Sequence, residues 1–195
     1  MTLRPDLAAI ADAVPAGARV LDIGCGDGAL LAYLRDSKGV DARGIDVSAA
    51  NVAGAVARGL SVVQGDADAD LGDYPDGAFD MVILSDTLQA MRSPATVLTE
   101  LVRIGRRAVV SFPNFGHWRV RASLALGGRM PVTSSLPVSW HETPNIHFCT
   151  VDDFRALATE RGLRVETATF LSGRKRRGAG LANLLAEQAV FVLAR

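Results

Sequence analysis

The stretch VLDIGCGDGALLAYL, residues 20–34, runs from a short apolar segment through Gly24, Gly26 and Gly28 into a second apolar, helix-forming segment. Nothing else in the chain restricts its fold as much. A buried strand, a turn nearly free of side chains and a helix in immediate succession form the opening unit of a doubly wound α/β sheet. The first strand-to-helix turn of such a sheet lines the crevice where strand order reverses. Gly24 and Gly26 let the backbone come close to a ligand there, and Gly28 eases entry into the helix.

The charges in the turn narrow the ligand. Gly24, Gly26 and Ala29 satisfy the loose glycine pattern of dinucleotide binders. Asp22 and Asp27 oppose that reading, because a diphosphate prefers bare amides at a helix N-terminus. Like charges about 5 Å apart cost about 1 kcal/mol even in a water-like dielectric, and more when desolvated. A cationic ligand reverses the sign. S-adenosylmethionine carries an ammonium and a sulfonium beside a nucleoside, so it suits a glycine turn flanked by acid, as does S-adenosylhomocysteine, its demethylated product, through the ammonium alone.

Further acidic residues recur where such a ligand needs them. Asp46 ends the second expected strand, 22 positions after Gly24, close to the spacing at which a carboxylate accepts from ribose hydroxyls. Asp66 follows the third strand, positioned to accept from an adenine amino group while Ala67 offers its amide. Cys25, Val47 and Ser85, at the turn and at the ends of the second and fourth strands, complete the candidate cofactor wall.

The rest of the chain carries the same beat. Residues 20–23, ARGID (42–46), LSVVQGD (60–66), FDMVILSD (79–86) and RRAVVSFP (106–113) read as strands, separated by helices at 29–35, 48–58 and from Pro94 onward. Ser48 and Ser93 are the expected caps; after Ser93, residues Val97, Leu98, Leu101 and Val102 share one helix face. VDDFRALATERG (151–162) reads as a helix ended by Gly162, and LRVETATFL (163–171) and EQAVFVLAR (187–195) as the last two strands. SGRKRRGAG (172–180) between them reads as a basic hairpin loop or crossover, usually a solvated loop and otherwise a patch for a polyanion. The expectation is one domain over 1–195: a mostly parallel, seven-stranded, Rossmann-like sheet with an insert at 115–150 after the fifth strand.

Composition excludes several classes. With 21 basic and 21 acidic side chains the chain lacks the general attraction for nucleic acid of a basic domain. Two cysteines, Cys25 and Cys149, form no disulfide framework or zinc motif. Asp6, Asp12 and Pro15 interrupt the N-terminal apolar residues, and no run approaches the roughly 18 apolar residues that span a bilayer. A cytoplasmic protein without membrane contact is expected. His117, His141 and His147 cluster in the insert with Glu142 and Cys149, but their spacing matches no zinc site, so structural or interface roles and no metal are expected.

Taken together, VLDIGCGDG, GIDVS, QGDAD and FDMVILSDTLQ resemble the successive motifs of class I S-adenosylmethionine-dependent methyltransferases. ILSDTLQAMRSP, VSFPNFGHWRVR, GRMPVTSSLP and TPNIHFCT, spread over nearly the whole chain, are similar to the MetW family of methionine-biosynthesis proteins. The resemblance implies an S-adenosylmethionine-binding protein that works beside homoserine O-acyltransferase (MetX) as an accessory or regulatory partner. A catalytically active methyltransferase on a small molecule is the alternative. The chain departs from the family pattern at Asp86, where Gln is usual, and at His141, where aromatic residues are usual.

Catalysis itself leaves a thin trace. Asp86, after the fourth strand, is the one candidate base or binder of a cationic acceptor, and capping of the next turn or closure over the cofactor explains it equally well. The insert holds both tryptophans; Trp118 and Trp140 with Arg119 and Arg121 have the composition of interface anchors. The same segment also suits a lid over the cofactor, and one segment can do both.

Overall fold

The computed structural model describes residues 3–195, which build one eight-stranded sheet in the order β3-β2-β1-β4-β5-β8-β6-β7. β1 (Arg19–Ile23), β2 (Asp41–Asp46), β3 (Ser61–Gln64), β4 (Phe79–Ser85) and β5 (Gly105–Pro113) pair in parallel. β6 (Arg164–Ser172), β7 (Lys175–Arg177) and β8 (Gln188–Ala194) add antiparallel pairings at the β5 edge. The chain winds outward from β1 through β2 to β3, then returns to lay β4 on the other side of β1. Strand order therefore reverses between β1 and β4, and the crevice of a doubly wound sheet lies at that point.

Helices cover both faces: α1 (Pro5–Ala13), α2 (Ala29–Lys38), α3 (Ala49–Ala57), the single turn α4 (Ala67–Asp70), α5 (Pro94–Ile104), α6 (Trp118–Gly127), α7 (Val151–Glu160) and the short α8 (Ala182–Leu185). The core splits accordingly. On one face Val97, Leu98 and Leu101 of α5 and Phe154 of α7 pack with Phe112 and Phe191 from the strands. On the other, Ile10 of α1 and Leu30 and Leu34 of α2 pack on Val20, Ile83 and Val109. Each fully buried side chain of this size contributes about 1.5–3 kcal/mol, so both layers fix the register that sets the crevice.

Four features differ from the sequence expectation. The sheet has an eighth strand: Lys175–Arg177 folds back on β6 through Gly173 at φ +55°, so the basic segment is a hairpin rather than a crossover. Three charged residues give no apolar alternation, which is why β7 is invisible to pattern reading. The N-terminal helix α1, which the sequence reading does not assign, starts at Pro5 with Asp6 in its first turn. Ser93 does not cap α5 with its side chain; the Asp68 carboxylate accepts from the amides of Arg92 and Ser93 instead. Within the insert, to which the sequence reading gives no helix, α6 forms and buries only Val120. Among the described residues, no helix is long and apolar enough to cross a membrane.

Candidate functional site

Register brings the candidate residues to one edge. Ile23 lies opposite Ile45 and Leu84, and Asp46 opposite Gln64, so the chain leaves β1, β2, β3 and β4 at Gly24, Val47, Gly65 and Asp86 along the same end of the sheet. The glycine turn is anchored there by the amides of Gly24 and Cys25, which both donate to the Ile45 carbonyl at 2.8 and 3.2 Å. Gly24 adopts φ +70°, and a Cβ on it would stand 2.7 Å from Thr87 Oγ1 in the loop after β4. Gly26, at φ +57°, faces open space on its Cβ side. The turn thus abuts the β4 loop on one side and leaves backbone accessible on the other.

Asp46 is the hub of the turn. Its Oδ2 accepts from the Gly26 amide at 2.7 Å, and its Oδ1 accepts from the Ser48 amide at 2.9 Å and from Asn51 Nδ2 at 3.0 Å. A carboxylate offers about four acceptor positions, so three donors leave one for a hydroxyl. Ser48 caps α3 as its sequence predicts, taking the Asn51 amide.

Asp22 is different in kind. It is 2% exposed, and its Oδ1 has no hydrogen-bond partner. Burial, reinforced by the charge of Asp46, pushes its carboxyl up to about 8. Cys25 beside it is buried and its thiol is pushed up to about 12, chiefly by burial, so it is inert as a nucleophile. Asp27 faces outward, holding the Ala29 amide and an ion pair with Arg58 at 2.8 Å, so this carboxylate is already matched by protein groups.

Asp66 caps α4 by accepting from the Asp68 amide at 2.9 Å. The Ala67 amide opens that single helical turn, where no carbonyl of the helix can receive it. Val47, just past Asp46, is 69% exposed, an apolar surface beside the hub.

At the end of β4 the surroundings change. Ser85 Oγ pairs with Ser111 Oγ at 3.3 Å. Asp86 holds φ +52°, the positive value found at no other non-glycine among the described residues, fastened by its amide to the Ser111 carbonyl at 3.0 Å. Its carboxylate meets Arg4 at 3.0 Å and lies 3.4 Å from Gln188 Nε2, while Arg4 also grips the buried Asp6 at 2.8 Å. Burial first, then Asp6, push Asp86 up to about 6, against the opposing pull of Arg4. These groups line a cavity of about 400 Å³ roofed by residues 134–138 and 143–145 of the insert. Sequence reading missed Arg4 and Asp6. Pro5 followed by an acid is a helix-start signal that marks α1, but nothing local ties Arg4 to a residue 82 positions away.

The insert's anchors diverge. Trp118, Arg119 and Trp140 are exposed; Arg119 lies over the Trp118 ring at 5.4 Å, and Trp140 packs edge-on with His141. Arg121, also exposed, is tied back to the main chain, its Nε donating to the Gly116 carbonyl at 2.6 Å. His117 is buried and caps α6, and burial lowers its pKa, so it serves structure. Among the described residues, no group of three or more His, Cys, Asp or Glu could hold a metal ion.

Solved structures share the fold. One from Mesorhizobium loti, described as an S-adenosylmethionine-dependent methyltransferase, matches with TM-score 0.71 and 18% identity over 98% of this chain and 96% of that one. Magnesium protoporphyrin IX methyltransferase from Synechocystis, solved with bound S-adenosylhomocysteine, matches at 0.64 and 18% over 97% and 80%. Among curated proteins, the bifunctional methionine biosynthesis protein MetXA/MetW of Rhodopirellula baltica is 35% identical over 87% of this chain and 29% of its own length. Ajmaline N-methyltransferase of Rauvolfia serpentina is 31% identical over 44% of this chain and 31% of its own. The chain thus spans about three-tenths of the length of these relatives. The described residues take a class I methyltransferase fold, and the profile of the family described as methionine biosynthesis protein MetW matches residues 4–193, so the chain belongs to that family.

Proposed function

We propose that this chain binds S-adenosylmethionine or S-adenosylhomocysteine at the ends of β1 to β4 and acts as an accessory, regulatory partner of homoserine O-acyltransferase (MetX). The observation that carries the partnership is the Rhodopirellula protein, named for both MetXA and MetW in a single polypeptide. A covalent tether holds two modules at millimolar effective concentration. Where the two are separate chains, a binding surface has to replace the tether. The insert supplies the best candidate: Trp118 and Arg119 at one end and Trp140, 72% exposed, at the other, with Arg121 bracing the turn from which α6 starts.

The ligand reading rests on the fit of the cleft. Asp22 has an unpartnered buried oxygen, which a ligand ammonium would satisfy. Asp46 keeps one acceptor position for a ribose hydroxyl, Gly24, Cys25 and Gly26 bring bare backbone beside it, and Val47 offers an apolar face to a base. Asp66 and the Ala67 amide form a donor–acceptor pair suited to an adenine edge. Ser85 closes the cleft toward β4. S-adenosylmethionine, when bound, would supply a methyl group and a report of methionine supply. Regulation of the partner requires the ligand to bind free subunit and complex with different affinity. The test is acyltransferase activity of the reconstituted complex across an S-adenosylmethionine titration: the reading expects the rate to change, and a flat response removes the regulatory role.

The cavity around Asp86 favours a second reading, an active methyltransferase on a small molecule, because it lies at the end of β4 and is large enough for one. Labelled methyl transfer to a component of a cell extract would support it.

A further inference from the structure

Asp22 poses a problem that the fold does not solve internally. Buried polar atoms without partners are rare, and a buried unpaired carboxylate is costlier than a buried unpaired acid. Oδ1 of Asp22 is such an atom. The groups around it give no relief. β2 contributes Asp46, which repels a second negative charge, and Gly44, which has no side chain; β4 sets Ile83 opposite; the turn contributes the neutral thiol of Cys25. Arg58, the cation that reaches the turn, is paired with Asp27.

We infer that Asp22 is carried as the neutral acid in the free protein and gives up its proton to solvent when a ligand ammonium enters, so that the cleft selects ammonium-bearing adenosyl ligands by proton exchange. This rests on the cleft reading above and adds a specificity-determining role for one residue. The balance is simple: the carboxylic acid becomes a carboxylate, one proton passes to buffer, and the ligand keeps its charge. The direction of the Asp22 shift agrees, since a carboxyl pushed up to about 8 is mostly neutral at pH 7. A site competent only in its ionised fraction loses about tenfold in affinity per pH unit below that value.

The experiment is calorimetry on the whole chain in buffers of contrasting ionisation enthalpy. S-adenosylhomocysteine is compared with methylthioadenosine, which has the same nucleoside but no ammonium. S-adenosylhomocysteine is expected to release close to one proton at pH 7 and to gain about 20-fold in affinity between pH 6 and 7.5. Methylthioadenosine is expected to release none and to bind equally across that range. Asp86 also titrates near this window, so Asp22→Asn separates the two: the variant should bind methylthioadenosine as before and lose the pH dependence for S-adenosylhomocysteine. Proton release that is absent, or equal for both ligands, overturns the inference while leaving the cleft intact. Failure of both ligands to bind overturns the cleft and the inference together.

Discussion

Two aspartates stand on either side of the strand reversal, Asp22 buried and Asp86 half-buried, and their surroundings differ. Asp22, on β1, belongs to a cleft assembled from strand ends, with a carboxyl pushed up to about 8 and an oxygen that no protein group satisfies. Asp86, after β4, belongs to a cavity walled by α1 and the insert; its carboxyl is pushed up only to about 6, and Arg4 and Gln188 stand against it. The same edge of the sheet thus presents one carboxyl left open for a cation and one already supplied with a cation by its own chain. A cation can therefore meet the first carboxyl without displacing any protein group, whereas entry of a cation into the second must displace Arg4.

Asp46, the hub of the turn, is where substitution should cost most. Asp46→Ala strips the amides of Gly26 and Ser48 and the amide side chain of Asn51 of their acceptor. At about 1 kcal/mol for each hydrogen bond lost, urea denaturation should show a loss of about 3 kcal/mol, and ligand binding at the cleft should vanish in calorimetry. An Asp46→Ala protein as stable as the parent contradicts the role given to this residue. A smaller effect is expected at the floor of the turn. A Cβ on Gly44 would stand 2.6 Å from Cys25 Sγ and 2.8 Å from Leu31, so Gly44→Ala should cost about 1–3 kcal/mol by overpacking, read in the same denaturation series.

The two aspartates can then be separated by pH. The folded state raises the carboxyl of Asp22 above its ordinary value, so it binds a proton that the unfolded chain has already lost. Its contribution to stability is complete below about pH 4 and is lost as pH rises through about 8. Over that window the wild type should lose about 1.4 kcal/mol per pH unit from this group alone, and Asp22→Asn should flatten the slope in denaturation at successive pH values. Arg4→Ala tests the other side. Arg4 is largely exposed, but its removal leaves the buried Asp6 without its ion-pair partner, so stability should fall by about 1–3 kcal/mol. The Asp86 carboxyl, freed of its guanidinium, should titrate higher than about 6 when followed by carbon NMR. An unchanged Asp86 titration would show that Arg4 does not hold it.

The same division governs what was legible in the sequence. Strands β1 to β5 and helices α2, α3 and α5 were readable because buried faces impose apolar periodicity, and Asp22, Asp46 and Asp66 were readable because parallel strands deliver their ends to one edge. Local signals sufficed there. The Asp86 cavity was not readable: Arg4, Gln188 and residues 134–138 meet through long-range packing, and irregular backbone held by side chains leaves no period. Asn114 is the clearest case. It is buried, and its side chain donates to the Asn183 and Ala186 carbonyls and accepts from the Gly116 and Val151 amides. It thereby fastens the start of the insert to α7 and α8, yet in sequence it is an asparagine after a proline. Asp27 shows the same limit, since its charge in the turn is plain in the sequence while its pairing with Arg58, 31 positions on, is not. Charge in a turn is visible from sequence, but the partner that neutralises it is not.

On the proposed reading, the open carboxyl and the hub beside it bind an adenosyl ligand whose occupancy the acyltransferase feels. The most direct measurement is calorimetric titration of S-adenosylmethionine and S-adenosylhomocysteine into the protein, alone and mixed with homoserine O-acyltransferase. Saturable binding whose affinity differs between the two states is the predicted result; absence of binding in both states would contradict it.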